Sequence, residues 1–575
     1  MIQFLRLARL TAAIGLLAML LSALASCSTK VLDSAPIEVN KAAIASAHPL
    51  ATEAGLTVLN AGGNAFDAAI TVASALAVVE PYGSGMGGGG YWLLREANGK
   101  ITVMDAREQA PLASSASMYL DDQGQFNREL STVGPLAAGI PGQAAALAHL
   151  AKQYGQLPFE QSLAPAIKLA RGFSADQRLV EHVRSVESKL LKFEGATELF
   201  FMGGQLPKVG DEIRQLALAN TLVQLGRQGH DGFYRSELTG QLVDDVRQAG
   251  GIWTLEDFDQ YQLKFYEPLV TSYRGVTLYT PPPSSSGGVV MSLALNLLEH
   301  WQGAFATKRL TQAHEKQMVI EAMRFAYRHR ALYLGDPQFI DIPVDTLISE
   351  DFAKHYAKHF TLGQPTDNAL LGKVTADQPQ GENTTHFSVV DQAGNMVSAT
   401  LSINTRFGSG FVSPKTGVLL NNEMDDFSAK VGTQNSYGLT AESSANSIEP
   451  LKRPLSSMTP TLFETSEQWG IIGTPGGSRI ITMVMLGIME ASRGQPVERW
   501  LDLPRYHHQY QPDVIQVEPK LEQAGWLIQL EEWGYQVKPV GREYGNMQAI
   551  SINKATGEVE AAADPRGIGA VGFYE

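Results

Sequence analysis

Hydrophobic and polar positions change their period several times along this chain. From about Ala43 the pattern reads as helical. In "HPLATEAGLTVLNAGG", His48–Gly63, apolar residues recur at helical spacing and stop on Gly62-Gly63, which predicts a helix with a glycine C-cap. "NAFDAAITVASALAVVEP" restarts a helix and ends it before Pro81. After the glycine run Gly83–Gly90, "YWLLRE" and "ITVMDAR" predict two strands. Residues 140–260 read mostly as helices broken by Gly and Pro. "YRGVTLYTPPPSSSGG" predicts a strand and then a loop, and helices resume to about Leu334.

After residue 383 the texture changes. "THFSVVDQAGNMVSATLSI" predicts two strands around the turn Gln392–Asn395. "LFETSEQWGIIGTPGG" predicts a hairpin that runs into a glycine turn, "GSRIITMVMLGIMEAS" an apolar helix, and "MQAISINKATGEVEAAAD" a last hairpin. Strands and helices fall in blocks rather than in βαβ alternation. That order favours antiparallel sheets layered face to face with helices outside.

The N-terminus departs from this pattern. Arg6 and Arg9 precede an apolar run from Leu10 to about Leu24, then small residues and the sequence "LASC". A charged start, an apolar core and small residues before a cut predict an export signal over residues 1–26. "LASC" resembles a bacterial lipobox, which makes Cys27 the expected lipidation site and first residue of the mature chain. Residues 27–42 then form a linker, and Ser28 fits placement at an outer membrane. Cys27 is the only cysteine, so no internal disulfide is possible. No later stretch approaches 18 uncharged apolar residues, so nothing else is expected to span a bilayer. The expected location is periplasmic, on a membrane surface.

Composition adds bounds. At 575 residues the chain exceeds one ordinary core, and length alone predicts three or four domains. The formal net charge is −14, and losing residues 1–26 removes Arg6 and Arg9 and no acid, giving −16. An acidic chain without a Lys/Arg block does not suit nucleic acid.

Several short motifs fail on context. Gly83–Gly88 fits G-x-G-x-x-G, but it follows a helix and opens a strand, the reverse of a dinucleotide fingerprint; close backbone packing is the better reading. "HEKQM" at His314 lacks the second histidine of a zinc motif. His507 and His508 are neighbours whose side chains diverge on any regular element, so no metal is expected. No G-x-S-x-G is present.

"GENTTHFSVVD", Gly381–Asp391, holds a different possibility. Thr384 is a weak nucleophile unless a base takes its proton. A free α-amine on the same residue can be that base, because its unperturbed pKa is about 7.7–8. That requires scission of Asn383–Thr384, which the same hydroxyl can start by attacking its own upstream carbonyl.

The neighbouring motifs decide for this reading. "GGNAFDAA", "GMGGGGYWLLR", "MDAREQAP", "GPLAAGIPG", "PPPSSSGG", "EAMRFAYRHRALYLGDP", "TTHFSVVD", "NNEMDDF", "KRPLSSM", "TPGGSRI" and "RYHHQ" occur in this order. In this the chain resembles the γ-glutamyltransferases, N-terminal-nucleophile enzymes, over nearly everything after the anchor. The resemblance implies an α+β fold, a four-layer αββα sandwich made of two subunits from one precursor: a large one to Asn383, with its folded part from residue 43, and a small catalytic one, 384–575.

It implies Thr384 as nucleophile and new N-terminus, and Gly476 and Gly477 as backbone donors to an oxyanion. Arg107 would hold the substrate α-carboxylate together with Ser456 and Ser457. Asn404, Glu423 and Asp426 would surround the α-amine. Ser402 stands where the family usually has a threonine that assists the nucleophile. Tyr437, in the segment Lys430–Gly438, would belong to a lid. Asp564-Pro565-Arg566 recurs in the family, with no chemistry evident from the sequence.

The implied activity is γ-glutamyl transfer from glutathione or similar compounds to water, amino acids or peptides, without metal or organic cofactor. Two other readings remain open on sequence. One is an acylase for glutaryl β-lactams of the same superfamily. The other is a membrane-tethered, non-catalytic amino-acid-binding lipoprotein.

Overall fold

The computed structural model describes residues 37–367, 383–440 and 442–575. The leader and Cys27 lie outside the described residues. Two sheets dominate. Their strands, in chain order, are β1 (Ala42–Ser46), β2 (Gly89–Arg95), β3 (Ile101–Ala106), β4 (Lys264–Tyr266), β5 (Leu269–Tyr273), β6 (Val276–Thr280), β7 (Thr385–Val390), β8 (Met396–Ser402), β9 (Thr461–Glu464), β10 (Gln468–Gly473), β11 (Gln548–Asn553), β12 (Val559–Ala563) and β13 (Ala570–Tyr574). One sheet has the order β13-β1-β7-β8-β2-β3-β4 and the other β12-β11-β10-β9-β6-β5. Every pairing in both is antiparallel.

Alternation along the strands sorts the side chains into layers. Ala43, Ala45, Leu93 and Val103 of the first sheet meet Leu462, Trp469, Ile471, Ile550 and Ile552 of the second. The opposite face of the first sheet, with Trp92, Phe387, Val389, Val397 and Leu401, packs on helices α1 (Pro49–Asn60), α2 (Ala65–Val79) and α3 (Phe159–Ala170). A further helix, α4 (Gln177–Ser185), adds Leu179, Val180 and Val183 to that layer. The outer face of the second sheet, with Leu278, Phe463 and Ile472, packs on α5 (Gly287–Ala304), α6 (Gln312–Tyr333) and α7 (Ile480–Ala491). The result is a four-layer αββα sandwich. Each fully buried large apolar side chain contributes roughly 1.5–3 kcal/mol.

Length predicted three or four domains, but the chain closes around one pair of sheets. The stretch from Ala43 was expected to be helical, yet Ala42–Ser46 is a strand buried along its whole length between β7 and β13. A short apolar run of this kind has no period that separates helix from strand. The fold also reaches ahead of residue 42: Val39 is 7% exposed and packs between the sheets, and Asn40 N–H donates to Gly557 O at 2.9 Å.

Two quoted motifs gain physical reasons. In "GGNAFDAA", Asn64 Oδ1 accepts from the N–H groups of Phe66 (2.9 Å) and Asp67 (3.0 Å), while Asp67 Oδ2 accepts from Asn64 N–H at 3.1 Å. This capping box starts α2. The glycine run brings backbone against backbone beside β8: a Cβ on Gly88 would lie 2.1 Å from Ser402 O.

Candidate active site

Thr384 precedes β7, and the register that pairs Thr385 with Leu401 sets it opposite Ser402 at the end of β8. Thr384 Oγ1 donates to Ser402 Oγ at 3.3 Å and lies against the Asn383 carbonyl oxygen. Thr384 has φ +152°, where a β-branched residue is strained by about 1–3 kcal/mol. The strain therefore sits next to the Asn383–Thr384 bond. His386 does not serve this hydroxyl. Its ring contacts Thr400 Oγ1 (2.9 Å) and Ser388 Oγ (3.2 Å), and burial pushes its pKa down to about 3. Thr385 donates to the buried Glu80 carboxylate, whose pKa burial raises despite that bond.

Thr384 and Ser402 border a pocket that also contains Arg107, Asn404, Glu423, Asp426, Tyr437, Ser456, Ser457 and Gly477. Its free volume is ≈ 20 Å³, room for about one water. Gly476 lines a second cavity, which Thr384 also borders. Thus every described residue to which the resemblance gave a catalytic, substrate-binding, lid or cleavage role borders one of these two cavities, and Thr384 borders both.

Arg107 comes from the end of β3 and is 1% exposed. Its Nε donates to Pro454 O at 3.2 Å, which docks it on the segment carrying Ser456 and Ser457. Nη2 donates to Asp426 Oδ2 at 2.5 Å and Nη1 to Glu423 Oε1. Burial opposes the Arg107 charge, but Glu423, Asp426 and Glu108 outweigh it and hold the guanidinium firmly protonated. Burial raises Glu423, with repulsion from Glu108 adding to it, and burial raises Asp426 against the pull of Arg107. Of the residues lining the pocket, two leave a buried acceptor without a hydrogen-bond partner among the described residues: Asn404 through Oδ1 and Glu423 through Oε2. Both belong to the set that sequence placed around a cation.

Tyr437 lines the pocket. Its hydroxyl donates to Asn404 O at 2.7 Å, and its ring lies over Gly477, where a Cβ would come within 2.2 Å of it. Gly477 has φ +57°, so both conformation and space require glycine there. Asn435 Nδ2 ties the same segment to Asp426 Oδ1 at 3.0 Å.

Sequence reading missed Arg330 and Glu108. Arg330 on α6 borders the pocket, with Nε donating to Ser286 Oγ (2.9 Å) and Nη2 to Ser457 Oγ (3.3 Å); burial lowers its pKa to about 10. A signal existed. Met323, Tyr327 and Arg330 follow helical spacing, so a charge interrupts an apolar stripe. Glu108 is fully buried 3.5 Å from Arg107, and burial pushes its pKa up to about 7. Asp564-Pro565-Arg566 is also explained: Arg566 forks onto Glu518 (2.8 and 2.9 Å) and pairs with Asp564, which binds Arg505.

An αββα sandwich that carries a threonine hydroxyl at the start of a central strand defines the class of N-terminal-nucleophile hydrolases. Within that class the match is specific. Residues 51–574 fit the Gamma-glutamyltranspeptidase family, and the chain belongs to this family of enzymes. The glutathione hydrolase proenzyme of Escherichia coli (strain K12) is 38% identical over 541 residues, covering 93% of this chain and 92% of that one. The glutathione hydrolase proenzyme of Pseudomonas sp. (strain A14) is 39% identical over 511 residues, covering 87% of each. Among solved structures, cephalosporin acylase from Bacillus halodurans aligns with TM-score 0.81 at 28% identity, over 93% of this chain and 96% of its own. Helicobacter pylori gamma-glutamyltranspeptidase aligns with TM-score 0.54 at 38% identity, over 56% of this chain and 93% of its own.

Proposed function

We propose that this chain cuts itself between Asn383 and Thr384 and then hydrolyses and transfers the γ-glutamyl group of glutathione and related amides. The observation that carries the reading is the place of Thr384. Its hydroxyl meets the Asn383 carbonyl at the rim of a pocket of paired opposite charges.

In the first reaction Thr384 Oγ1 attacks the Asn383 carbonyl carbon. The C–N bond breaks, the acyl group passes to oxygen, and water opens the ester. Thr384 then has a free α-amine, a base near neutral pH. In the second reaction that amine takes the hydroxyl proton while Oγ1 attacks the γ-carbonyl of the substrate. The departing amine receives the proton, and a γ-glutamyl ester remains. Water or an acceptor amine releases it. The N–H groups of Gly476 and Gly477 face the developing oxyanion; one such donor contributes about 2.7–4 kcal/mol. Ser402 Oγ supports the nucleophile.

Arg107 pairs with Glu423 and Asp426 within the pocket. A zwitterionic amino-acid head replaces each partner with its own opposite end. Its carboxylate takes the planar fork of Arg107 with Ser456 and Ser457. Its ammonium takes Glu423, Asp426 and the unpartnered Asn404 Oδ1. Tyr437 and the segment Lys430–Gly438 act as the lid. None of these steps calls for a metal or an organic cofactor. The chain is exported, loses residues 1–26, and is held to a membrane surface through Cys27; large and small subunits form a heterodimer.

The test is a denaturing gel of the mature protein with N-terminal sequencing, and turnover of a γ-glutamyl anilide with and without a dipeptide acceptor. Two bands, the smaller starting at Thr384, are expected. An intact polypeptide that still hydrolyses glutathione would overturn the reading.

A second reading, a glutaryl-β-lactam acylase, is favoured by the likeness to cephalosporin acylase. A glutaryl group has no ammonium for Glu423 and Asp426, and its carboxylate meets their repulsion. Faster turnover of a glutaryl amide than of a γ-glutamyl amide would favour the acylase.

A further inference from the structure

Helix α6 sends two side chains toward the pocket from one face. Tyr327 donates its hydroxyl to Ser478 O, which pins this face beside the Gly476–Gly477 turn. One turn later Arg330, 6% exposed, reaches the pocket of opposed charges.

The Arg330 guanidinium divides itself between two neighbouring serines, Ser456 and Ser457. Nη2 donates to Ser457 Oγ at 3.3 Å. Nε donates to Ser286 Oγ at 2.9 Å, and Ser286 passes the contact on: its hydroxyl (2.6 Å) and its N–H (2.8 Å) both donate to Ser456 O. One side chain therefore fixes Ser457 by its oxygen and Ser456 by its backbone.

The direction of these bonds decides what the serines can do. A hydroxyl has one hydrogen to give and two lone pairs to accept with. Ser457 Oγ accepts from Arg330, and Ser456 Oγ accepts from Met458 N–H at 3.0 Å. Neither hydroxyl donates to another described residue. Each hydrogen is left for an acceptor in the pocket, and two neighbouring O–H donors suit the two oxygens of a carboxylate.

Charge points the same way. Arg107 is shared among Glu423, Asp426 and Glu108. Arg330 bonds hydroxyls instead and forms no ion pair among the described residues. Burial lowers its pKa to about 10, with Asp426 supporting its charge and Arg107 opposing it, so it stays a cation at neutral pH. When a donor's carboxylate takes the fork of Arg107, Glu423 and Asp426 turn to the ammonium, and Arg330 remains as the second positive charge of the pocket.

We propose that Arg330 is a positioning and specificity-determining residue for the donor: it aims the Ser456 and Ser457 hydroxyls at the α-carboxylate and sets a second positive charge behind them. This inference rests on the γ-glutamyl reading of the pocket. A donor with a carboxamide in place of its α-carboxylate gives Arg330 nothing to select.

The test is the ratio of kcat/KM for a γ-glutamyl anilide to that for its α-carboxamide analogue. In the wild type the ratio is expected at about 10–100. Arg330→Gln should lower it about five- to tenfold, chiefly through KM of the carboxylate donor, and Arg330→Lys, which keeps the charge but not the fork, should restore part of it. In a Ser457→Ala background the same Arg330→Gln change should cost only about two- to threefold, because the hydroxyl it aims is gone. Equal loss on both donors, or an undiminished loss in the Ser457→Ala background, overturns the inference, and so does a wild-type ratio near one. Two bands on a denaturing gel report that a variant has folded and processed. Ser286→Ala severs only the branch to Ser456 and decides the matter if Arg330→Gln stays in one piece: a ratio lowered about two- to threefold supports the assignment, and an unchanged ratio overturns it. Failure of the wild type on the anilide is a different result: it overturns γ-glutamyl transfer itself, on which the inference rests.

Discussion

Arg107 sits among three carboxylates, and those carboxylates set how the site answers to acid. Burial holds Glu423 and Asp426 above the ordinary carboxylate range, and it pushes Glu108 to about 7. A raised carboxylate takes its proton early as pH falls, so Glu423 and Asp426, the proposed ammonium partners, lose charge above the ordinary carboxylate range. KM for a γ-glutamyl anilide should therefore climb on acidification through that range; a KM flat down to pH 4.5 would contradict the assignment. Arg107→Lys keeps the charge but loses the fork, and kcat/KM should drop about 10- to 100-fold. Thr384→Ala should leave a single uncut chain without turnover; a processed variant would move the nucleophile elsewhere. At this scale the sequence was informative where a residue belonged to a short motif. Arg107, Asn404, Glu423, Asp426, Ser456 and Ser457 come from four separate segments yet meet in one pocket. Arg330 escaped notice because "RFAYRHR" offers three arginines, and only the facing of α6 distinguishes them.

Elements joined by tight turns were readable from their local pattern. The hairpins β7–β8, β9–β10 and β11–β12 fall where alternation and turn residues put them. β1 was not readable, because its partners β7 and β13 lie hundreds of residues away and its own five residues carry no period. The cap of α2 makes a stability prediction. Asn64→Ala removes the acceptor for Phe66 and Asp67 and should cost about 1 kcal/mol, read as a lower urea midpoint. An unchanged midpoint would mean that the capping box carries no net stability. The proposed lid segment makes a functional one. Tyr437→Phe deletes the bond to Asn404 O and should raise donor KM by about two- to tenfold with the ring still in place. If KM does not move, the hydroxyl does not hold the cover shut.

Over the whole molecule, the strands before and after Asn383–Thr384 are interleaved. β1 lies between β13 and β7, β8 pairs with β2, and β9 with β6. After scission the two subunits should therefore run as one species in gel filtration and separate only in denaturant; spontaneous dissociation would be inconsistent with this weave. The N-terminus is decided by mass: a lipidated Cys27 adds acyl mass to a chain lacking residues 1–26, and an unmodified Met1 would rule the anchor out.

Thr384 reaches Ser402 only because β7 has already zipped onto β8, and β7 is seated only when β1, from the far end of the precursor, lies along its other edge. On the proposed scission, the cut would be a final inspection of the finished product. A chain that had joined its strands in the wrong order would have no opposed hydroxyls at the right place, would stay in one piece, and would remain inert. Activity would then be released only into molecules that had already folded.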